Sequence, residues 1–223
     1  MKKLIILILL TPLITFSQLE CTKNIKIGNI DICFPKINGM TESYSNSNVK
    51  IIADSFKGSD DEIIFAIYAK KENLVYSKML ENGLGHPSYK LYGNNKFIDI
   101  DINQDLFNML KVQIKKTLGK DLTKAIEKVN GRLNQISDIA ELNFETPILI
   151  ESRNINTKST TNTLLMKIST DGEIQTMVAN LSILVIKKRL IFFANYNKYN
   201  GSESIEKTNI QTDVFIKKIF NLN

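Results

Sequence analysis

Asp171 and Gly172 stand between two runs rich in β-branched and apolar residues, 163–169 and 173–186. An Asp-Gly pair in that setting is the strongest short signal for a β-hairpin, because both positions of a type I′ turn need a positive φ. Lys187-Lys188 makes a second tight turn into the run 190–196. A further strand, 148–153, follows Pro147, and the polar stretch 154–162 reads as a loop. The last third of the chain is therefore a β-meander, which dictates an antiparallel sheet before any other segment is considered.

The remaining segments fit around that sheet. Residues 24–34 alternate apolar and polar about Gly28-Asn29, so they form a hairpin that Pro35 ends. Residues 38–48 are rich in Ser and Asn and read as a loop. Residues 49–56 and 62–70 read as strands joined by the turn 57–61. The second is apolar on both faces, which predicts a central strand covered on each side. Residues 78–96, with Gly83, Gly85, Pro87 and Gly93, read as an irregular connection. Phe97, Ile98, Ile100 and Ile102 then suggest a short strand interleaved with Asp99 and Asp101. Leu106, Phe107, Leu110 and Ile114 recur at helical spacing, predicting a helix over 104–118 that Gly119 stops. A second helix starts at Asp121 and keeps an apolar face through Ile136. A last helix, capped by Ser204, turns Ile205, Ile210, Val214, Phe215 and Ile219 inward. Antiparallel strands with helices grouped in the middle and at the end give an α+β class, a single antiparallel sheet with helices packed on it.

The first residues set the compartment. Lys2 and Lys3 precede an almost wholly apolar run, 4–16, that is too short to cross a bilayer, for which about 20 residues are needed. Small residues at Thr15 and Ser17 complete the pattern of a cleavable signal peptide, 1–17, with residues 18–223 as a single exported α+β domain. Glu20 next to Cys21 is a poor fit to lipid attachment. No membrane span is expected after processing. Removing 17 of 223 residues leaves 206, enough for one sizeable core, and loss of the two lysines lowers the formal charge from +6 to +4. Two cysteines, Cys21 and Cys33, in an oxidising compartment predict one disulfide.

Candidate chemistry is sparse. His86, the one histidine, sits in a glycine-containing loop and reads as a surface residue. There is no G-x-S-x-G elbow, and one histidine with two distant cysteines does not make a zinc site. Gly83-Leu84-Gly85 lacks the lysine and the strand–helix context of a phosphate loop. Asp99, Asp101 and Asp105 miss the spacing of a calcium loop, and Asp60-Asp61-Glu62 reads as a solvated acidic turn. Sequons at Asn180 and Asn200 matter only in a host that glycosylates them. The lysines form no cluster with arginines and aromatics, so no nucleic acid is expected. No catalytic residue, metal or cofactor is assigned. Tyr44, Tyr196 and Tyr199, in Asn- and Ser-rich surroundings, are the candidate partner contacts, since tyrosine offers large area at low entropy cost.

The strand at 177–186 (MVANLSILVI), the turn Lys188-Arg189-Leu190, the strand at 191–196 (IFFANY) and the closing helix ending at 216–220 (IKKIF) follow one another in a particular order. That order resembles the tail of the PsbP-like fold, shared by photosystem accessory proteins, a Ran-binding release factor and DcrB-type envelope proteins. The stretch 30–40 (IDICFPKINGM) resembles the opening strand, proline and loop of many members. The resemblance implies a PsbP-like sandwich and a binding or assembly role, and it transfers no site residue. The expected function is an exported, periplasmic or secreted, non-enzymatic binding or accessory protein that contacts another protein. The alternatives are an envelope-located immunity or inhibitor protein and an enzyme with an unfamiliar site.

Overall fold

Two strands of the meander carry the architecture: β8 (Ser159–Thr170) and β9 (Glu173–Ile186), paired from Thr170↔Glu173 to Ser159↔Leu184. The structure is a computed structural model and describes residues 21–75, 84–117, 121–133, 142–170 and 173–223. Asp171-Gly172 thus lies outside the described residues, as do residues 1–17, expected to be a signal peptide, and Gly119. After β9, Lys187 and Lys188 take φ of 47° and 66°, the paired positive values of a type I′ turn. They lead into β10 (Arg189–Lys198), which returns along β9 from Arg189↔Ile186 to Lys198↔Met177.

The other strands extend this unit on both sides. β4 (Glu62–Ala69) and β5 (Ser88–Asn94) pair with each other, and β5 pairs with β10. The two-residue β3 (Thr41–Glu42) borders β4. On the far side, β6 (Leu142–Phe144) and β7 (Ile148–Asn156) take successive halves of β8. The order is β3-β4-β5-β10-β9-β8-β6, with β7 beside β6 on β8, and every pairing is antiparallel. The hairpin of β1 (Cys21–Ile27) and β2 (Ile30–Pro35) is a separate two-stranded sheet. Four helices belong to the described chain: α1 (Ser47–Ser55), α2 (Gln104–Thr117), α3 (Asp121–Leu133) and α4 (Ser202–Leu222). The class is α+β, an antiparallel sheet with helices packed on it.

Side chains alternate across the sheet and divide the core. Leu184, Ile186, Ile191 and Phe193 face α4 and the β1–β2 hairpin, where Phe215 stacks on Phe193 with ring centroids 4.3 Å apart. Their neighbours Ile183, Val185 and Leu190 face the other way and pack with Phe107 of α2. On that same side, α1 sets Val49, Ile52 and Ala53 against Ile64 and Ile67 of β4.

Six sequence expectations change. Residues 49–56 are helix, not strand: the Asn46 side chain accepts from the backbone N–H of Asn48 and Val49, and Val49, Ile52 and Ala53 fall on one helical face. Within the irregular connection of 78–96, residues 88–94 are a strand in the middle of the sheet. Gly93 belongs there because a Cβ would sit 2.5 Å from Phe65 Cζ. Phe97 to Ile102 is a 3-10 turn (Asn95–Phe97) and coil, since the Asn94 side chain caps Lys96 N–H and ends β5. The polar stretch 154–162 is a hairpin, closed where the Asn156 side chain accepts from Lys158 N–H and Ser159 Oγ. On α4, Ile210 and Val214 are exposed, whereas Thr208 and Thr212 are buried with Phe215 and Ile219. The sheet face beneath explains this. Buried Asn180 and Asn195 both donate to Thr212 Oγ1, at 3.1 and 3.0 Å, and a buried polar group needs such a partner. β4, expected to be central, is covered on both faces, but it lies next to the edge.

The Cys21 and Cys33 sulfurs are 2.06 Å apart, at disulfide distance, and close a loop of sequence separation 12. A cross-link over a loop of that size removes about 3 kcal/mol of chain entropy from the unfolded state. Reduction with dithiothreitol is therefore expected to lower the urea midpoint, and a Cys21→Ala/Cys33→Ala variant to lose as much and then ignore the reductant. A reductant effect that persists in the double variant would contradict this.

Candidate functional site

On the side of the sheet away from α4, the strands and helices leave a cavity of about 270 Å³. Its floor alternates along four neighbouring strands: Lys90 and Tyr92 of β5, Tyr196 of β10, Leu181 of β9 and Leu164 of β8. Alternation is what brings them to one face, because i and i+2 of a strand point the same way. The roof is α3, whose Ile126 and Val129 lie one helical turn apart. Two contacts hold this helix down. Lys128 Nζ meets Asp60 Oδ2 at 2.6 Å. The Asn130 amide donates to Phe144 C=O at 3.1 Å and accepts from Phe144 N–H at 2.9 Å, as a neighbouring strand would. The Phe144 ring in turn meets Phe56 edge-on at 5.8 Å.

The polar end of the cavity is a buried ion pair. Lys90 Nζ contacts Glu62 Oε1, and the two side chains are 11% and 9% exposed. Glu62 Oε2 accepts from Gly58 N–H at 3.1 Å. The ammonium also donates to the Phe56 carbonyl at 3.4 Å and lies 4.9 Å over the Tyr92 ring. Burial lowers the Lys90 pKa, and the Glu62 carboxylate opposes that shift. Desolvation likewise pushes the Tyr92 and Tyr196 hydroxyls up, so both stay neutral phenols. His86 lines the cavity, and burial pulls its pKa below the ordinary 6.5 against a hydrogen bond to the Tyr196 backbone. Its imidazole is neutral at pH 7, and its Nδ1 is buried without a partner among the described residues.

Tyr196 stands in the cavity wall. Tyr44 is half-buried beside α1 and donates its hydroxyl to Asp54 Oδ1 at 3.0 Å. Tyr199 is half-buried, its N–H bonded to Thr176 C=O. His86 belongs to the cavity wall, not to an exposed loop, because it stands two residues before β5, whose strand face lines the cavity. Asp101 is on no strand and pairs with the buried Arg189, which also reaches Asn29 in the β1–β2 turn at 2.7 Å. The acidic turn is divided among three lysines: Asp60 with Lys128, Asp61 with Lys96 and Glu62 with Lys90. Asn180 of the first sequon is fully buried against α4. No group of three or more His, Cys, Asp or Glu that would hold a metal occurs among the described residues. Sequence reasoning missed Lys90 and Glu62. The signal was a lone lysine in the apolar stretch 88–92 (SYKLY), a position that demands a partner.

No protein-family model and no curated protein sequence matches the chain. Among solved structures it is similar to the Ran-binding protein Mog1p of Saccharomyces cerevisiae, at 7% identity over 92% of this chain and 90% of that one, with a TM-score of 0.33. A mutant of protein Mog1 is similar at 7% identity over 90% of each chain, again with a TM-score of 0.33. No helix among the described residues is long and apolar enough to cross a membrane.

Proposed function

We propose that the chain is an exported, non-enzymatic binding protein that holds an apolar ligand in the cavity between α3 and the sheet. The observation that carries this reading is the cavity itself: an apolar space of about 270 Å³ with a few convergent polar groups, the usual form of a small-ligand site. The chemistry present suits an uncharged ligand: the charged groups lining the cavity neutralise one another, and the phenols are held neutral. Export is supported by the basic and apolar N-terminal pattern and by the cysteine pair at disulfide distance.

Prodan, an uncharged naphthalene-based fluorophore, is the probe. It is expected to bind saturably at one site with blue-shifted emission. Leu181→Trp, which fills the cavity from its floor, is expected to abolish the binding without lowering the melting temperature. Absence of saturable binding to the wild-type protein would overturn the reading. The same variant locates the protein contact expected from the sequence. A protein captured from an envelope extract and lost with Leu181→Trp engages the cavity; one that survives it engages another surface.

A further inference from the structure

We infer that the Glu62–Lys90 pair restricts this cavity to uncharged ligands of about two-ring size and excludes carboxylates; the inference rests on the cavity reading above. The size follows from the volume. An apolar cavity of about 150 Å³ takes benzene, so about 270 Å³ accommodates roughly two fused rings. The charge class follows from the walls. Among the described lining residues, Glu62 and Lys90 are the only Asp, Glu, Lys or Arg side chains. They contact each other, so the polar end has no net charge.

A buried lysine at the end of an apolar pocket would by itself attract an anionic ligand. Here three neighbours among the described residues already engage it. Glu62 meets the ammonium directly, the Phe56 carbonyl accepts from it, and the Tyr92 ring lies beneath it. A second carboxylate entering the cavity would leave water and face Glu62 without displacing it, and an unpaired buried charge is strongly disfavoured. A cationic ligand meets the same obstacle from Lys90. An uncharged ligand loses little on entry, and a polar tip on it still finds hydrogen-bonding groups at that end. Lys57 and Asp54, whose charges also act on Lys90, are paired with each other at 2.9 Å. The pair thus sets specificity by rejection, which needs no contact with the accepted ligand.

The test uses two isosteric probes, 2-naphthamide and 2-naphthoate, titrated calorimetrically into the full chain at pH 7. The amide is expected to bind at least about tenfold more tightly than the carboxylate. Glu62→Gln removes the competing carboxylate, and with it the order is expected to invert by about tenfold in favour of naphthoate. Equal binding of the two probes to the wild-type protein, or preference for naphthoate, would overturn this inference and leave the cavity reading standing. Failure of both probes to bind would overturn the two together. A folded Glu62→Gln protein that still prefers the amide would remove the pair as the cause. If that variant does not fold, the wild-type comparison still decides the ligand class.

Discussion

Lys90→Met is expected to destabilise the fold by about 3–5 kcal/mol, the usual consequence of removing one partner of a buried ion pair. Methionine matches the length of the lysine stem, so the loss does not come from a packing void. It comes from Glu62, 9% exposed, left with the Gly58 N–H and without its lysine. The companion result makes the cause legible. Adding Glu62→Gln to Lys90→Met removes the stranded charge, and the double variant is expected to recover most of the lost stability. Urea unfolding of the wild type, both single variants and the double variant closes the cycle. A double variant no more stable than Lys90→Met would refute the assignment. The pair therefore has two readouts, one in stability and one in ligand charge, and neither depends on the other.

Phe215→Ala is expected to cost about 3–5 kcal/mol, as truncation of a core phenylalanine does. The ring is 3% exposed and stands where three aromatic neighbours converge. It stacks on Phe193 at 4.3 Å and meets Tyr89 and Tyr68 at 5.7 and 6.5 Å. Nothing near it is free to fill the gap, because Phe193 belongs to β10 and is fixed between β5 and β9. The urea midpoint should fall with the slope unchanged. Ile210→Ala, on the same helix, is the control. Its side chain is 56% exposed, so its effect should stay within about 0.5 kcal/mol. A reversal of the two magnitudes would mean that α4 presents the other face to the sheet.

Ile210 marks how far the sequence can be read. Period alone placed Ile205, Ile210, Val214, Phe215 and Ile219 on one inward stripe. The helix is instead rotated to put Thr208 and Thr212 inward. The rule that apolar residues turn inward gave way to a stronger requirement: Asn180 and Asn195 are buried in the sheet and must be satisfied. Residues 49–56 failed for another reason. Val49 to Phe56 is apolar enough for either element, and the decision rests on the cap at Asn46 and on the burial of one helical face against β4. β5 was unreadable because its glycine and its lysine argue locally against a central strand. Both are explained only by neighbours far along the chain, Phe65 over Gly93 and Glu62 beside Lys90.

The sequence by itself determined the β1–β2 hairpin, the antiparallel meander and the position of three of the four described helices. These follow from side-chain period and from turn residues, and both act within a few positions of the chain. Lys187-Lys188 is the clearest case. A two-residue turn fixes the register of β9 on β10, and one slipped residue would have sent Phe193 to the other face. The tertiary structure alone decided the cavity. Its walls come from α1, β4, β5, α3, β6 and β8 to β10, and no local signal says which of these will meet. Glu62 and Lys90 lie on adjacent strands whose pairing sets Glu62 opposite Asn94 and Ile67 opposite Lys90. Only the long side chains, bridging that offset in a site too dry to leave either charge alone, bring the two together.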